Sequence, residues 1–199
     1  MPHARSSALQ GRPVLVRATA ALERLTALDA AVDAARPFAA RLVGGPVRRW
    51  VLHGRGLGHA VHPFLTDVPL GAWMSASVLD LTPGVRGGRA AQTLVGTGLL
   101  AAVPTVLTGW AEWAAADRTT QRVGVVHAGA NTVSVVLYGA SWLARRRGSQ
   151  VTGSLLALAG GAVSGVGGYL GGHMAIARNA GTRDRAFVPP GHGATHHEA

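Results

Sequence analysis

Three histidines, His62, His127 and His173, lie on three different long apolar segments of this chain. Imidazole is the commonest side-chain ligand of metals and also carries protons near neutral pH. An ionisable or ligating side chain at membrane depth is costly, so it indicates a functional site by default. The three histidines therefore predict a cofactor or metal site, provided that membrane helices bring the imidazoles together.

The segments that must position these histidines have the length of membrane helices. A bilayer core of about 30 Å needs about 20 predominantly apolar residues. Four segments approach or exceed that length, at 63–81, 90–113, 123–144 and 151–177. Every Arg between residues 57 and 178 lies near the end of a segment, as in multi-pass membrane proteins. The sequence predicts an all-α fold, an integral membrane four-helix bundle over residues 57–178.

The two ends of the chain differ from this bundle. Residues 1–56 are predicted to form a cytoplasmic helical region, because apolar residues recur every three or four positions from Val14 to Val43. Such an amphipathic segment lies either on an anionic membrane surface or against the cytoplasmic face of the bundle. Residues 179–199 are polar and are predicted to form a flexible tail.

Charge and composition exclude several classes of function. The 199 residues include no Cys, which excludes disulfides and thiolate metal sites. The net charge of +10 comes from arginines that border membrane segments, so nucleic-acid binding is a poor explanation of it. More of these arginines flank the side that holds both termini, which predicts that both termini are cytoplasmic.

Four passes return the polar residues of the segments to one membrane face. Asn131 follows His127 by four residues and so shares its helix face, where it could orient the imidazole. The opposite face offers only Asp80. The predicted site collects His59, His62, Asp67, Glu112, His127, Asn131 and His173.

Several chemistries suit this set of residues. Haem b needs one or two axial histidines and space for a macrocycle, which Gly168 and Gly172 would provide beside His173. A compact Fe, Zn or Cu ion would instead use imidazoles and carboxylates. Proton transfer is a third alternative, and helix packing through polar contacts explains a single histidine without any ligand. The candidate metal ligands are His62, Asp67, Glu112, His127 and His173.

The glycines of the fourth segment allow a second interpretation. Gly161 with Gly165, and Gly168 with Gly172, form the small-xxx-small pattern by which membrane helices approach each other. Such faces also allow a homodimer. The glycines alone therefore do not decide between a porphyrin site and close helix packing.

The run at 52–73, the sequence at 108–113, the pair His127 and Asn131, and Gly171-Gly172-His173 resemble the bacterial domain of unknown function 2231 family. The resemblance covers residues 52–187. It implies a four-helix protein of the bacterial inner membrane that transfers electrons, since some members are joined to Rieske or cytochrome c domains. Ala60 replaces the usual Pro and Glu112 the usual Asp. No Rieske domain follows Phe187, so the redox partner is expected to be a separate chain.

The sequence thus predicts a membrane redox protein that binds haem b or a metal ion near its cytoplasmic face. Its expected partner is a Rieske-type or cytochrome electron carrier. The rival prediction is a cofactor-free membrane scaffold or anchor for a partner protein. A transporter is disfavoured, because the first and second helix pairs show no internal repeat.

Overall fold

The computed structural model describes residues 11–82 and 88–181, which form helices and turns and contain no β-strand. The predicted all-α fold is therefore confirmed. A 3-10 turn, Thr26–Leu28, separates the first two helices, and another, Arg55–Leu57, follows the third. The helices are α1 Val14–Arg24, α2 Asp29–Leu42, α3 Pro46–Leu52, α4 His62–Leu81, α5 Gly88–Ala115, α6 Arg118–Arg146 and α7 Gln150–Gly172, which a π-helical turn, His173–Ala177, extends.

Three of the described helices are long and apolar enough to cross a membrane, namely α5, α6 and α7 with its π turn. Helix α4 has 20 residues and lies beside them, but it is not among the three. It nevertheless exposes a row of large apolar side chains to the surroundings of the bundle. That row consists of Phe64, Val68, Met74, Val78 and Leu81.

The bundle consists of two helical hairpins, α4 with α5 and α6 with α7. Small residues set the approach within the second hairpin. Glycines of α7 face bulky residues of α6 at matching steps of seven, a repeat that keeps two helices in contact over several turns. Ser134 Oγ also donates to the Gly160 carbonyl at 2.9 Å. The facing pairs are Gly153 with Arg145, Gly160 with Tyr138, and Gly167 with Asn131.

Other glycines of α7 face open space. A Cβ built at Gly165, Gly168 or Gly172 would meet no atom within 4 Å. Of the Gly161/Gly165 and Gly168/Gly172 pairs of the packing interpretation, only Gly161 lies close to α6, where a Cβ would be 3.3 Å from the Tyr138 hydroxyl. Gly168 and Gly172 are left with room beside them.

A stacked pair of aromatic rings joins the two hairpins at mid-bundle. Trp73 of α4 stacks on Tyr138 of α6 with ring centroids 4.1 Å apart. Its indole Nε1 donates to the Val95 carbonyl of α5 at 3.3 Å, which satisfies the one polar group of this buried ring. The indole fits there because Gly98 of α5 has no side chain.

Replacing Gly98 with Ala should destabilise the protein by about 1–3 kcal/mol, because the new methyl group would overlap the Trp73 indole. The matched control is Gly139→Ala on α6, where a Cβ meets nothing within 4 Å. There the gain in helix propensity should leave stability unchanged or slightly higher. Thermal unfolding in detergent measures both variants, and equal melting temperatures would contradict the prediction.

The N-terminal segment forms two helices where the sequence pattern predicts one continuous helix from Val14 to Val43. The backbone breaks at Leu25, whose ψ of 89° is not helical. The break is stabilised from α6, since Arg122 Nη1 donates to the Glu23 carbonyl at 2.9 Å. The last carbonyls of a helix lack partners within it, so this contact satisfies one of them. The periodicity could not reveal a break that another helix stabilises.

Helices α1 and α2 pack on the bundle. Of the two locations that the sequence allowed, a membrane surface or the end of the bundle, the structure has the second. Asp29 accepts from Arg118 at 3.0 Å and from Arg122 at 2.8 Å, and Asp33 also pairs with Arg118. Val32 and Ala39 of α2 pack with Trp113 of α5 in a separate small apolar core. We refer to the bundle end that α1 and α2 cover as the docking end.

Glu23 joins α1 to the C-terminal end of the bundle. Its carboxylate accepts from His173 Nε2 at 2.7 Å and from Arg178 Nε at 2.7 Å. Burial raises the pKa of the Glu23 carboxyl, but the hydrogen bonds and charges of Arg178 and His173 outweigh burial and hold the pKa below its ordinary value of 4.5. The charged carboxylate is therefore the form that stabilises the docked helix.

Glu23→Gln should loosen α1, because the amide keeps the shape but loses the two charged contacts. We expect backbone amides of α1 to exchange hydrogen several-fold faster, while α2 stays protected through Asp29 and Asp33. Arg24→Gln at the neighbouring exposed position is the control and should leave exchange unchanged. Unchanged α1 exchange in Glu23→Gln would contradict this prediction.

The same carboxyl sets a pH dependence. Because its folded pKa is lowered, its stabilising contribution is present above the ordinary pKa and is lost as pH falls through the lowered value. Protection of α1, corrected for the intrinsic exchange rate, should therefore fall only in acid below pH 4.5. Glu23→Gln should lack this acid transition.

Candidate functional site

A cavity of about 600 Å³ lies between the four long helices in the half of the bundle nearest the docking end. Its walls are largely apolar, and they include Leu70, Ala102 and Val135. A mostly apolar cavity with a few polar groups is the usual form of a small-molecule site. Among the residues predicted for the site, those that line it are His62, Glu112, His127, Asn131, Gly168 and Gly172.

His62 is held at the first residue of α4. Its ring Nδ1 lies 2.9 Å from the carbonyl oxygen of Thr105 on α5, so Nδ1–H donates this bond. The proton is then on Nδ1, which leaves Nε2 as the unprotonated nitrogen. Within the part of the chain that the structure describes, no group hydrogen-bonds His62 Nε2.

His127 is held in a similar way on α6. Its Nδ1 donates to the Gly167 carbonyl of α7 at 2.8 Å. Its Nε2 accepts from the Asn131 side-chain amide at 2.9 Å, one helical turn along α6. His127 is thus a neutral imidazole with both nitrogens hydrogen-bonded.

Two glycines make room for the two imidazoles. A Cβ at Gly109 of α5 would lie 2.8 Å from His62 Cε1, and a Cβ at Gly171 of α7 would lie 3.1 Å from His127 Cε1. Any larger residue would displace the rings. These glycines therefore accommodate histidines, whereas Gly168 and Gly172 have open space beside them.

The two rings approach each other across the cavity. Their centroids are 6.4 Å apart, and their planes are nearly perpendicular at 85°. Each ring is fixed through Nδ1 to a backbone carbonyl of a neighbouring helix. Fixing one nitrogen to a carbonyl and orienting the other is the usual arrangement of a metal-ligating histidine.

The structure places the third predicted histidine elsewhere. His173 is the first residue of the π turn, does not line the cavity, and contacts Glu23 of α1. Gly171 faces His127, and successive helical residues are about 100° apart, so a side chain two residues later points to another face. His127 and His173 share a depth in the bundle but not a direction.

The two carboxylates also differ in position. Asp67 is exposed and does not line the cavity. Glu112 lines the cavity, and its Oε1 lies 3.2 Å from His53 Nδ1, with both side chains about nine-tenths buried. In residues 11–82 and 88–181, no three of His, Asp and Glu lie close enough together to hold a metal ion.

A comparison with protein families matches residues 58–184, more than half of the chain, to domain of unknown function 2231, described as a predicted membrane protein. The chain belongs to this family. The membrane assignment from the sequence is thereby confirmed. Comparison with curated proteins and with solved structures found no match.

The matched region of this family member contains the whole cavity, because it includes α4, α5, α6 and α7. His53 lies just before the matched region and still reaches Glu112. The sequence prediction did not include His53, Thr105 or Gly109 in the site. The pattern His53-Gly54 and the polar Thr105 within an apolar helix were available signals, but their partners are distant in the chain.

A proline in α4 explains part of the role of Thr105. Pro69 has no N–H to donate to the Leu65 carbonyl, one turn earlier in α4. The Thr105 hydroxyl lies 3.1 Å from that carbonyl and 2.9 Å from the Ala101 carbonyl of its own helix, so the two carbonyls share its single proton. Thr105 thus satisfies a carbonyl of α4 with its hydroxyl, and its own carbonyl accepts from His62. The same residue joins α4 to α5 at the wall of the cavity.

Proposed function

We propose that this family member is a membrane redox protein that binds haem b through His62 and His127. The observation that carries the proposal is the approach of two imidazoles across one largely apolar cavity, each with Nδ1 bound to a backbone carbonyl. The candidate ligating atoms are the opposite ring nitrogens, His62 Nε2 and His127 Nε2, the second of which accepts from the Asn131 amide in this structure.

The number of converging ligands favours haem over a compact metal ion. The macrocycle supplies four iron ligands, so the protein has to add only one or two axial side chains. A bound zinc ion usually has three or four protein ligands. His62 and His127 meet the first requirement. For the second, Glu112 also lines the cavity, but no three of His, Asp and Glu in residues 11–82 and 88–181 lie close enough together to hold one ion.

The residues present fit the group in two respects. Imidazole–metal bonds are about 2.0–2.1 Å, so two imidazoles that would hold one ion through a nitrogen each would have ring centres roughly 6 Å apart. The centroids of His62 and His127 are 6.4 Å apart. Gly168 and Gly172 leave open space at the cavity wall. Ligation through His127 Nε2 requires Asn131 to release that nitrogen.

Bound haem would supply one-electron transfer. The chain itself orients both imidazoles through the carbonyls of Thr105 and Gly167, and its apolar walls keep water away. The electron partner in this proposal is a separate Rieske-type or cytochrome protein. The proposed location is the bacterial inner membrane, with α4 as the fourth span and with both termini in the cytoplasm.

A cofactor-free membrane scaffold is the second candidate, and one specific contact favours it. The Asn131 amide occupies His127 Nε2, so His127 forms a complete polar contact without any ligand. The ion pairs of α1 and α2 with the bundle would then serve to present these helices to a partner protein.

The deciding experiment is an absorption spectrum of the detergent-purified protein, oxidised and then reduced with dithionite, after expression with haem supplied. A Soret band that shifts on reduction, with iron near one per chain, is the expected result. A colourless protein with stoichiometric metal would support the compact site instead. A colourless and metal-free protein would support the scaffold.

Asn131→Leu separates the two candidates further. If haem binds, Asn131 has already left His127 Nε2, so the leucine variant should retain the Soret band. If the protein is a scaffold, the variant removes the donor to His127 Nε2 and should lower the melting temperature without any spectral change. The pair of readouts distinguishes ligation from packing.

A further inference from the structure

A short segment before α4 exposes several large apolar side chains. Residues 46–58, which we name the interfacial segment, comprise α3 and the following 3-10 turn. Val47 is 75% exposed, Leu57 is 70% exposed, and Trp50 and Val51 are each 56% exposed. The bundle does not cover these four side chains, so a solvent-exposed location would be unfavourable.

The inner side of the same segment is fixed to the bundle. His53 is buried and contacts Glu112 at the cavity. Gly54 has a φ of +60°, and a side chain there would overlap the His59 carbonyl, so the turn requires glycine. Just after the segment, Ala60 N–H donates to the Gly181 carbonyl at 2.9 Å. The apolar side chains therefore cannot turn inward.

Two arginines accompany the apolar side chains. Arg48 and Arg55 are exposed, and neither forms an ion pair with any residue in the described ranges. Tryptophan and arginine beside exposed aliphatic side chains are typical of protein surfaces at the headgroup level of a bilayer. On α2, the small residues Ala30, Ala31 and Ala34 are exposed, and the one large apolar side chain that is exposed there, Phe38 at 52%, contacts the Trp110 ring of α5.

Large apolar side chains are also exposed on α4, just after the interfacial segment in the chain. Leu57 precedes Phe64 of α4 by seven residues, and Phe64 is 76% exposed. Phe64 begins the exposed apolar row of α4 that ends at Leu81. Large apolar side chains are therefore exposed both on the interfacial segment and at the start of α4, the next helix in the chain.

We propose that the interfacial segment lies in the headgroup region of the bilayer at the docking end. Val47, Trp50, Val51 and Leu57 enter the boundary of the acyl chains, and Arg48 and Arg55 bind the phosphates of anionic lipids. His53 is on the opposite side of the segment, where it contacts Glu112 of the cavity wall. The bilayer therefore keeps this contact in place. This proposal does not depend on haem.

The chain has no Cys, so a single introduced Cys takes one spin label at a chosen position. The test uses Val47→Cys and Leu57→Cys, labelled with a nitroxide in full-length protein reconstituted in vesicles of phosphatidylcholine and phosphatidylglycerol. The matched control is Ala34→Cys on the outer face of α2. Accessibility to oxygen, which dissolves in lipid, is compared with accessibility to a water-soluble nickel chelate.

Labels at positions 47 and 57 should show an oxygen-to-nickel accessibility ratio several-fold higher than the label at position 34. Equal ratios at the three positions would overturn the proposal. Strong spin–spin broadening at position 47 would also overturn it, because it would show that a second copy of the chain covers the segment. Melting temperatures equal to that of the unlabelled protein confirm that each variant is folded.

The role of the arginines has its own readout. In Arg48→Gln/Arg55→Gln, the ratio at position 57 should no longer rise when phosphatidylglycerol replaces part of the phosphatidylcholine. In the parent protein it should rise with the anionic fraction and fall back in high salt, since exposed charges are screened. If the oxygen-to-nickel ratio at position 57 of the parent protein does not change with the anionic lipid fraction, the anionic-lipid part of the proposal is overturned.

Discussion

Arg145→Ala should destabilise the protein by about 3–5 kcal/mol, because it leaves a buried carboxylate without its partner. The Arg145 side chain is fully buried, and that of Asp80 is 6% exposed. Arg145 Nη1 donates to Asp80 Oδ1 at 3.0 Å, and Nη2 donates to Asp80 Oδ2, so the pair is bidentate. It joins α4 to α6 at the end opposite the docking end.

The neighbouring Arg147 provides a matched control, because it is exposed and belongs to the same run of three arginines. Arg147→Ala should change stability by less than about 0.5 kcal/mol. The double variant Asp80→Leu/Arg145→Met removes both charges and should recover much of the loss. Unfolding in detergent with increasing denaturant measures all three variants. An Arg145→Ala protein as stable as Arg147→Ala would show that the pair contributes little.

His62→Ala and His127→Ala should each reduce bound haem to the background level, if the proposed ligation is correct. Each change would remove one of the two imidazoles proposed to hold the group, and it opens space that water can enter. His173→Ala should retain the parent spectrum, since His173 contacts Glu23 outside the cavity. The measurement is the Soret absorbance per chain, with iron determined on the same samples.

Two additions make this experiment decisive. Imidazole added during haem loading should restore the Soret band in the alanine variants, because the free base can occupy the vacated space. Melting temperatures then separate loss of the ligand from loss of the fold. Full haem occupancy in His127→Ala, or loss in His173→Ala that matches the loss in His62→Ala, would overturn the assignment of the ligands.

Patterns local in the chain gave correct predictions. The apolar segments at 90–113, 123–144 and 151–177 correspond to α5, α6 and α7 with its π turn, each helix being slightly longer than predicted. The four-residue spacing of His127 and Asn131 places their side chains 2.9 Å apart. Such features depend on helix length and periodicity alone, which the sequence specifies directly.

Features that depend on the rotation of one helix against another could not be predicted. The depth of a residue along the bundle can be counted from the sequence. That count predicts the same depth for His127 and His173. Direction around α7 depends on which face packs on α6, and that face is set by Gly153, Gly160 and Gly167. Their contacts turn Gly171 towards His127 and His173 towards α1.

The partners in the ion pairs also could not be predicted from the sequence. Arg145 has the same local context as Arg146 and Arg147, yet it alone of the three is buried, because Asp80 of α4 lies opposite it. Asp29 and Asp33 belong to a helix whose periodicity is compatible with packing either on the membrane surface or on the bundle. Their pairing with Arg118 and Arg122 depends on residues some ninety positions away.

The sequence by itself determined that this is an all-α membrane protein of the domain of unknown function 2231 family, with polar residues in the half of the bundle near its termini. Helix periodicity and apolar length are local properties of the chain, so they can be predicted without knowledge of how the helices pack. The tertiary structure decided that His62 and His127 share a cavity while His173 binds Glu23. Packing between small and bulky residues fixes the rotation of each helix, and that rotation selects which side chains meet.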